Sequence, residues 1–207
     1  MSANPLIPVS DLPNEFQSIF SNFTHFNRVQ STVFDKIFHS DDTLVINSPT
    51  GSGKTVLLEL AIVRELCKLQ RNPSSSNSKN PFSELHVIYF GPLKTIVSEK
   101  LREWSAKFSR LNLICKDLTG DTPLIPNFEN ETFKTNILLV TPEKFDYSIR
   151  TNRPFRQFIS MVQLVLIDEI HTLSDKNRGD TLEATVTRMK MLRKTNGKSF
   201  SKFIFLF

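Results

Sequence analysis

The feature that most constrains this chain is a glycine-rich loop between an apolar run and a helical pattern. The run Leu44–Ile46 predicts a short strand, and apolar residues at helical spacing follow from about residue 54. A strand, a glycine-rich turn and a helix in this order are the context that a phosphate-binding loop requires. The loop comprises Ser48, Pro49, Thr50, Gly51, Ser52, Gly53, Lys54 and Thr55.

The residue types in this loop suit the binding of ATP with Mg²⁺. Glycines let backbone N–H groups approach the phosphates, and the helix presents its positive N-terminal end. Lys54 can reach the β- and γ-phosphates, and the Thr55 hydroxyl can bind Mg²⁺. A flexible turn with a chance Gly-Ser-Gly is the alternative, but it leaves the lysine, the hydroxyl and both flanking elements unexplained. The loop departs from the general pattern at Ser48, where the first glycine usually stands.

A second candidate for nucleotide recognition lies upstream, at Phe26–Gln30. Asn27 as N-cap with Gln30 three residues later predicts a capping box, opening a helix that continues to about Phe38. The capping box alone is a sufficient role for Gln30. A glutamine amide can also donate to and accept from the edge of adenine, and Phe26 could pack on the ring. With a phosphate loop close downstream, we favour adenine recognition and keep the cap as the alternative.

An acidic pair follows the most apolar predicted strand, Val162–Ile167. Adjacent carboxylates at the end of a buried strand are costly unless they serve a function. Asp168 is positioned to hold Mg²⁺ through water, and Glu169 to polarise the attacking water. A pair of helix-capping acids is the alternative. His171 completes the four-residue segment Asp-Glu-Ile-His.

The alternation of strands and helices predicts an α/β fold with a doubly wound, mainly parallel sheet. Residues 1–25 are read as an N-terminal arm with a short helix, and residues 26–207 as the domain. The predicted strands are Thr43–Asn47, Leu85–Phe90, Leu111–Lys116, Asn136–Val140, Val162–Ile167 and Phe203–Phe207.

Two predicted strand ends carry lysines that could hold phosphates. Lys94 follows the second strand, at the sheet edge where ligands of open α/β sheets bind, although a solvated surface lysine is an equal alternative. Thr141 can cap the helix that Pro142 starts, and the same helix start with Lys144 could bind a nucleic-acid phosphate.

Composition restricts the class of protein without deciding its function. A net charge of +5 is compatible with a polyanionic partner but does not require one. The two cysteines, Cys67 and Cys115, have no metal-type spacing and are read as buried free thiols. The sequence shows no apolar run of membrane-spanning length and no secretory signal, so we expect no membrane partner.

In order, these segments resemble the first motor lobe of superfamily 2 helicases. The segment DEIH points to the DExH group, and FNRVQ, SPTGSGKT, GPLKT, TGDT, TPEKFD, DEIH and RGDTLE match its superkiller-like branch in order and spacing. The matching region extends from about Phe26 to Met191. Residues 111–122 and 182–190 look most like the Mer-type meiotic DNA helicases.

The resemblance implies a RecA-like, ATP-binding lobe of a nuclear DNA helicase that moves 3′ to 5′ and acts in meiotic crossover formation. Its partners would be single-stranded or branched DNA and a second motor lobe. Gln30 would read adenine, residues 50–55 would hold the triphosphate, Asp168 and Glu169 would serve Mg²⁺ and water, and His171 would couple the ATP site to the second lobe. The nucleic-acid track would comprise Pro92, Lys94, Thr119, Gly120, Thr141 and Lys144.

The resemblance also places a Ser-Ala-Thr box directly after the sixth strand, one step beyond Phe207. The second lobe, with its arginine fingers, would follow. An arginine finger commonly contributes about 10³-fold or more in rate. We therefore expect these 207 residues alone to bind ATP with almost no turnover. Two alternatives stay open: an RNA helicase of the same branch, and a non-catalytic module that binds ATP and nucleic acid.

Overall fold

A computed structural model of the chain describes residues 5–49, 51–72, 80–120, 134–174, 179–195 and 202–207. Within these ranges, six strands form one sheet whose neighbouring strands are all parallel. The strands are β1 (Leu44–Ile46), β2 (Val87–Phe90), β3 (Cys115–Leu118), β4 (Ile137–Val140), β5 (Leu164–Ile167) and β6 (Lys202–Leu206). Their spatial order is β1-β6-β5-β2-β4-β3. The prediction of a doubly wound parallel sheet is confirmed.

The helices pack on both faces of this sheet. They are α1 (Asn14–Gln17), α2 (Arg28–Phe38), α3 (Lys54–Arg71), α4 (Lys94–Phe108), α5 (Pro142–Thr151), α6 (Arg153–Met161) and α7 (Gly179–Thr195), with short 3₁₀ turns at Val9–Asp11, Ser18–Phe20, Ser109–Leu111 and Ile170–Ser174. In the described part of the chain, no helix combines the length and the apolar composition needed to cross a bilayer.

Successive residues of each central strand enter two different apolar cores. In β2, Val87 and Tyr89 join the core that α2, α3 and α4 cover, whereas Ile88 and Phe90 join the core beneath α5, α6 and α7. All four residues are at most 1% exposed. A strand that is buried on both faces requires apolar residues at every position, and β2 has them. The same pattern in β5 underlies the prediction that β5 is a buried strand.

Parallel pairing brings the ends of distant segments to one edge of the sheet. The glycine-rich loop leaves the carboxyl end of β1, and Asp168 leaves the carboxyl end of β5. β6 lies between these two strands and pairs with both. The loop and the acidic pair therefore lie at the same edge, one strand apart.

The structure corrects the prediction for the third strand. Of the predicted range Leu111–Lys116, only the last two residues are in a strand, because β3 begins four residues later than predicted, at Cys115. A 3₁₀ turn ends at Leu111, and Asn112 has a left-handed backbone (φ 53°) that breaks extended geometry. Helix α6 was not predicted, although Asn152 caps it by accepting a hydrogen bond from the backbone N–H of Phe155.

The N-terminal arm packs into the same core as the rest of the domain. Val9, Leu12 and Phe16 are buried in the core that α2 and α3 cover. The arm is also held by backbone hydrogen bonds, among them that from the Phe26 N–H to the Ile7 carbonyl, 2.8 Å. Its described residues therefore pack against the sheet domain, and the short helix predicted within the arm is present as α1, followed by the 3₁₀ turn Ser18–Phe20.

The first residue of β6 is a fully buried lysine. Lys202 is 0% exposed, and its ammonium group donates to the backbone carbonyls of Ile37 (2.9 Å) and Ser40 (2.7 Å), and also to that of Lys36. These carbonyls lie at the C-terminal end of α2, where helix carbonyls have no intrahelical donor. Lys202 therefore caps α2 from the opposite end of the chain.

Candidate active site and nucleic-acid interface

The glycine-rich loop has the backbone that its sequence predicts. Gly51 and Gly53 both have left-handed conformations, with φ of 79° and 83°. Helix α3 begins at Lys54, so its first N–H groups face the loop without intrahelical acceptors. The Lys54 ammonium donates to the Ser48 carbonyl at 2.9 Å, and the hydroxyls of Ser48 and Ser52 lie 2.8 Å apart. Thr50 lies outside the described residues.

Gln30 is tied to this loop by its side chain. The capping box is confirmed: the Asn27 carboxamide oxygen accepts from the Gln30 N–H, and the Gln30 amide oxygen accepts from the Asn27 N–H. In addition, Gln30 Nε2 donates to the Gly53 carbonyl at 3.1 Å, and Asn27 Nδ2 donates to the Ser52 carbonyl at 2.8 Å. By valence, one N–H and one lone pair of the Gln30 amide remain after these bonds, and adenine recognition needs such a pair. The residue itself is only 4% exposed.

Phe26 does not have the position that was predicted for it. Its ring is 0% exposed and lies edge-on to Phe20 and Phe23, with Phe34 on another side. A ring without an exposed face cannot stack on a ligand, so the prediction that Phe26 packs on adenine is wrong for this structure. Phe26 instead supports the N-terminal end of α2 from the core.

The acidic pair leaves β5 with a defined geometry. Tyr89 on the neighbouring strand donates its hydroxyl to Asp168 Oδ2 at 2.9 Å, and the Glu169 N–H donates to Asp168 Oδ1 at 3.0 Å. Burial, together with the Asp168 charge, raises the pKa of the Tyr89 phenol, which therefore remains a donor. Glu169 has a left-handed backbone (φ 52°), which is an uncommon conformation for a residue other than glycine.

His171 contacts the acidic pair directly. Its Nδ1 lies 3.1 Å from Glu169 Oε2, while most of the His171 side chain is exposed. The backbone and hydroxyl of Thr172 both donate to the Glu169 carbonyl, which fixes the turn that follows the pair. Asp168, Glu169 and His171 are thus held in one short segment, with the histidine on its solvent side.

A charged network that sequence reasoning missed lies behind the loop. Lys100 on α4 is nearly buried and lies 3.3 Å from the Thr55 hydroxyl and 2.8 Å from Glu103. Glu103 also accepts from Lys107, which pairs at 2.6 Å with the fully buried Glu59 of α3. The network joins α4 to the phosphate-loop helix. In the sequence, the only signal for this network is that Lys100 and Lys107 are seven residues apart and so lie on one face of a helix.

Thr55 and Asp168 offer oxygen donors for a cation at the same edge of the sheet. A hydroxyl and a carboxylate match Mg²⁺, which binds through few protein oxygens and keeps several waters. The donor chemistry therefore fits the predicted magnesium site. The Thr55 hydroxyl also accepts a hydrogen bond from the Lys100 ammonium at 3.3 Å.

The predicted nucleic-acid residues largely meet in one groove. It has a volume of about 520 Å³ and lies where β2, β3 and β4 end, against the first turns of α5. Its lining residues are Pro92, Leu93, Lys94, Gly120, Thr141, Glu143, Lys144 and Tyr147. Five of the six predicted residues are among them. Leu93, Glu143 and Tyr147 were not predicted, because nothing in the local pattern distinguishes them from surface residues.

Thr119 and Thr141 differ from their predicted roles. Thr119 is 1% exposed and does not line the groove, so a nucleic-acid contact from its side chain is not supported. Thr141 is the N-cap residue of α5, but its side chain makes no capping hydrogen bond. The capping role that would have explained Thr141 is therefore absent, and the residue, 7% exposed, is one of those that line the groove.

Comparison with protein families decides the class. The DEAD/DEAH box helicase model matches residues 27–206. The chain belongs to this family. The helicase match contains both the glycine-rich loop and the DEIH segment, which the fold brings to one edge of the sheet.

Curated members of the helicase family match nearly the whole chain. The probable ATP-dependent DNA helicase HFM1 of Mus musculus is 41% identical over 89% of this chain and 12% of its own length. The ATP-dependent DNA helicase homolog MER3 of Arabidopsis thaliana is 44% identical over 93% of this chain and 17% of its own. The U5 small nuclear ribonucleoprotein 200 kDa helicase of Drosophila melanogaster is 36% identical over 88% of this chain and 8% of its own. The chain thus spans less than a fifth of each relative.

Solved helicase structures share the fold. Mss116 bound to ssRNA and AMP-PNP has a TM-score of 0.75 at 20% identity, covering 99% of this chain and 41% of that one. MrfA bound to DNA and AMPPNP has a TM-score of 0.74 at 16% identity, covering 98% of this chain and 27% of that one. The RecA-like helicase fold predicted from the sequence is confirmed.

Proposed function

We propose that this chain is the ATP-binding lobe of an ATP-dependent DNA helicase that acts in meiotic recombination and crossover formation in the nucleus. The observation that carries the proposal is the shared sheet edge, where the Lys54 loop, the Asp168–Glu169 pair and the groove with Lys94 and Lys144 all lie. ATP hydrolysis and nucleic-acid binding at the same sheet edge can be coupled. A conformational change at either site can reach the other, because both are built on the carboxyl ends of neighbouring β-strands.

In the proposed reaction, the loop N–H groups and Lys54 hold the β- and γ-phosphates of ATP. Gln30 contacts adenine with the N–H and the lone pair that remain after its bonds to Asn27 and Gly53. Asp168 and Thr55 would hold Mg²⁺, which neutralises developing charge on the phosphates, and Glu169 orients the attacking water. His171, in contact with Glu169 and exposed on its other side, would relay the state of the ATP site to a second lobe.

The groove would bind the sugar-phosphate backbone of a single strand. Lys94 and Lys144 supply positive charge, and the N-terminal end of α5, which has no side-chain cap, supplies further donors. DNA is favoured over RNA as the substrate, because the relatives named as DNA helicases match at 41% and 44% identity and the ribonucleoprotein helicase at 36%. Movement from 3′ to 5′ and unwinding belong to the proposal for the whole protein.

The first test is ATP binding and ATP hydrolysis by the purified chain, with and without single-stranded DNA. We expect Mg²⁺-dependent ATP binding that Lys54→Ala abolishes, with almost no turnover in the absence of an arginine from a second lobe. The matched control is Lys36→Ala, which removes an exposed lysine at the far end of α2.

Four outcomes would change the proposal. Failure of the chain to bind ATP would overturn it. Turnover that depends on Lys54 would mean that a second copy supplies the arginine in trans. Preferential competition by RNA over DNA of equal length would favour the RNA helicase alternative, and strand binding without any ATP binding would favour a non-catalytic binding module.

A further inference from the structure

The groove contains an exposed aromatic ring. Tyr147 is 49% exposed, although it lies on α5 between core residues of the same helix. One helical turn earlier, Lys144 lies with its ammonium group 6.0 Å from the centre of the Tyr147 ring. Residues three apart on a helix share a face, so the ring and the charge face the same space. Across the groove, Leu93 adds a second exposed apolar side chain, 41% exposed.

A nucleotide unit carries an anionic phosphate and a flat, largely apolar base within a few ångströms of each other. The groove offers the complementary pair: positive charge from Lys94 and Lys144, and apolar surface from Tyr147 and Leu93. One acidic side chain, Glu143, also lines the groove and offsets part of the positive charge. Charge alone therefore gives this groove modest affinity for a phosphate chain, which leaves the exposed ring as a distinct source of affinity.

We propose that Tyr147 stacks on one base of the bound single strand, with Leu93 opposite, while Lys94 and Lys144 hold the neighbouring phosphates. The proposal rests on the function proposed above and assigns a base contact to a groove otherwise expected to hold the backbone. Stacking on an aromatic side chain tolerates every base, because each base has a π-face. The contact would make the lobe sensitive to the presence of a base, but not to its identity.

The test compares binding of two strands of equal length, one of normal DNA and one in which every base is replaced by an abasic tetrahydrofuran residue. Affinities are measured by fluorescence anisotropy at one fixed salt concentration. We expect Tyr147→Ala to bind the normal strand roughly 5- to 100-fold more weakly, the range that loss of one stacked base gives. Binding of the abasic strand should stay within twofold of the unmodified chain.

Two variants separate stacking from other roles of the ring. Tyr147→Phe keeps the ring and should retain affinity for normal DNA. Lys144→Ala should weaken both strands and reduce the salt slope of binding by about one, whereas Tyr147→Ala should leave that slope unchanged. The control is Met191→Ala, an exposed apolar side chain on α7 outside the groove, which should change neither affinity.

The failures of the two proposals are distinguishable. If the unmodified chain binds neither strand, the proposed nucleic-acid function fails together with the stacking contact. If it binds both strands and Tyr147→Ala weakens both equally, the ring acts only by orienting Lys144, and the stacking proposal alone is overturned. An equal loss for Tyr147→Phe would mean a hydroxyl contact and would also overturn stacking, as would an unchanged affinity of Tyr147→Ala for normal DNA.

Discussion

The side-chain amide of Gln30 donates to the carbonyl oxygen of Gly53 at 3.1 Å, which ties the first turn of α2 to the phosphate loop. The contact is possible because residue 53 has no Cβ. A Cβ built there would lie 2.4 Å from Gln30 Nε2. Gly53 is therefore required twice, for its left-handed backbone and for the approach of Gln30. The Gln30 amide, proposed to bind adenine, and the loop proposed to bind the phosphates are therefore held in a fixed position relative to each other.

This relationship predicts that Gly53→Ala is worse than the equivalent change at Gly51. Both positions have positive φ, but a Cβ at Gly51 would meet nothing within 4 Å. We expect Gly51→Ala to cost about 1–2 kcal/mol of unfolding free energy from backbone strain. Gly53→Ala should cost about 1 kcal/mol more, because the hydrogen bond to Gln30 is also lost. Urea unfolding measures both.

A double variant isolates the contact with Gln30. Combining Gly53→Ala with Gln30→Ala removes the nearer of the two side chains that the new Cβ would meet; the other, Asn27, has its Nδ2 at 3.2 Å. The two changes should be less than additive in unfolding free energy. Additive losses, or equal losses at Gly51 and Gly53, would show that backbone strain alone makes glycine necessary.

A second prediction concerns the buried lysine of β6. Lys202→Met keeps the length of the side chain but leaves the carbonyls at the end of α2 without their donor. We expect a loss of about 2–4 kcal/mol in unfolding free energy, because more than one buried acceptor is left unsatisfied. Lys36→Met, an exposed lysine in the same region, should change stability by less than about 0.5 kcal/mol. Equal stability of the two variants would contradict a capping role for Lys202.

A third prediction concerns the hydroxyl that orients Asp168. Tyr89→Phe keeps the ring, which packs edge-on against Trp104 with centroids 5.3 Å apart, and removes only the donor to Asp168. We expect a stability loss of about 1 kcal/mol. ATP affinity in the presence of Mg²⁺ should fall several-fold, because Asp168 is less firmly positioned, while ATP affinity in EDTA should not change. A parallel fall in both conditions would place the effect outside the magnesium site.

A fourth prediction concerns stability in acid. Asp41 accepts hydrogen bonds from Lys68 and Arg64, both at 2.6 Å, and these partners, Lys68 first, lower the pKa of its carboxyl from 3.8 to about 2. A carboxyl whose pKa is lower in the folded state stabilises the fold above its unfolded pKa, and that contribution disappears as the pH falls from about 4 to 2. The effect should be small, because the Asp41 side chain is 66% exposed.

The measurement for Asp41 is urea unfolding between pH 5 and pH 2 at constant ionic strength. The unmodified chain should lose more stability over this interval than Asp41→Asn, and added salt should reduce the difference. Asp42→Asn serves as the control, because the Asp42 carboxylate accepts a hydrogen bond from the Ser40 hydroxyl and, among the described residues, forms no ion pair. Parallel pH profiles for all three proteins would refute the assignment to Asp41.

The strands of the sheet show how much of the secondary structure the local sequence predicts. The five strands bordered by clear apolar runs were predicted within two residues at their N-terminal ends, whereas β3 was misplaced. The stretch before β3 has apolar residues that fit a strand, but the left-handed Asn112 keeps it irregular. Helix α6 was missed although Asn152 and Pro154 mark its start, because a nine-residue helix has too few turns to show a clear period.

The sequence by itself determined the parallel α/β fold, the phosphate loop, the DEIH segment and the capping box, because each depends on residues that are close together in the chain. Tertiary structure decided what distant residues do to one another. It buried Phe26 and Thr119, placed Lys202 under the end of α2, and brought Tyr147 and Leu93 to the same groove. The physical reason is that burial and hydrogen-bond satisfaction are properties of packed neighbours, and those neighbours come from segments up to 166 residues apart.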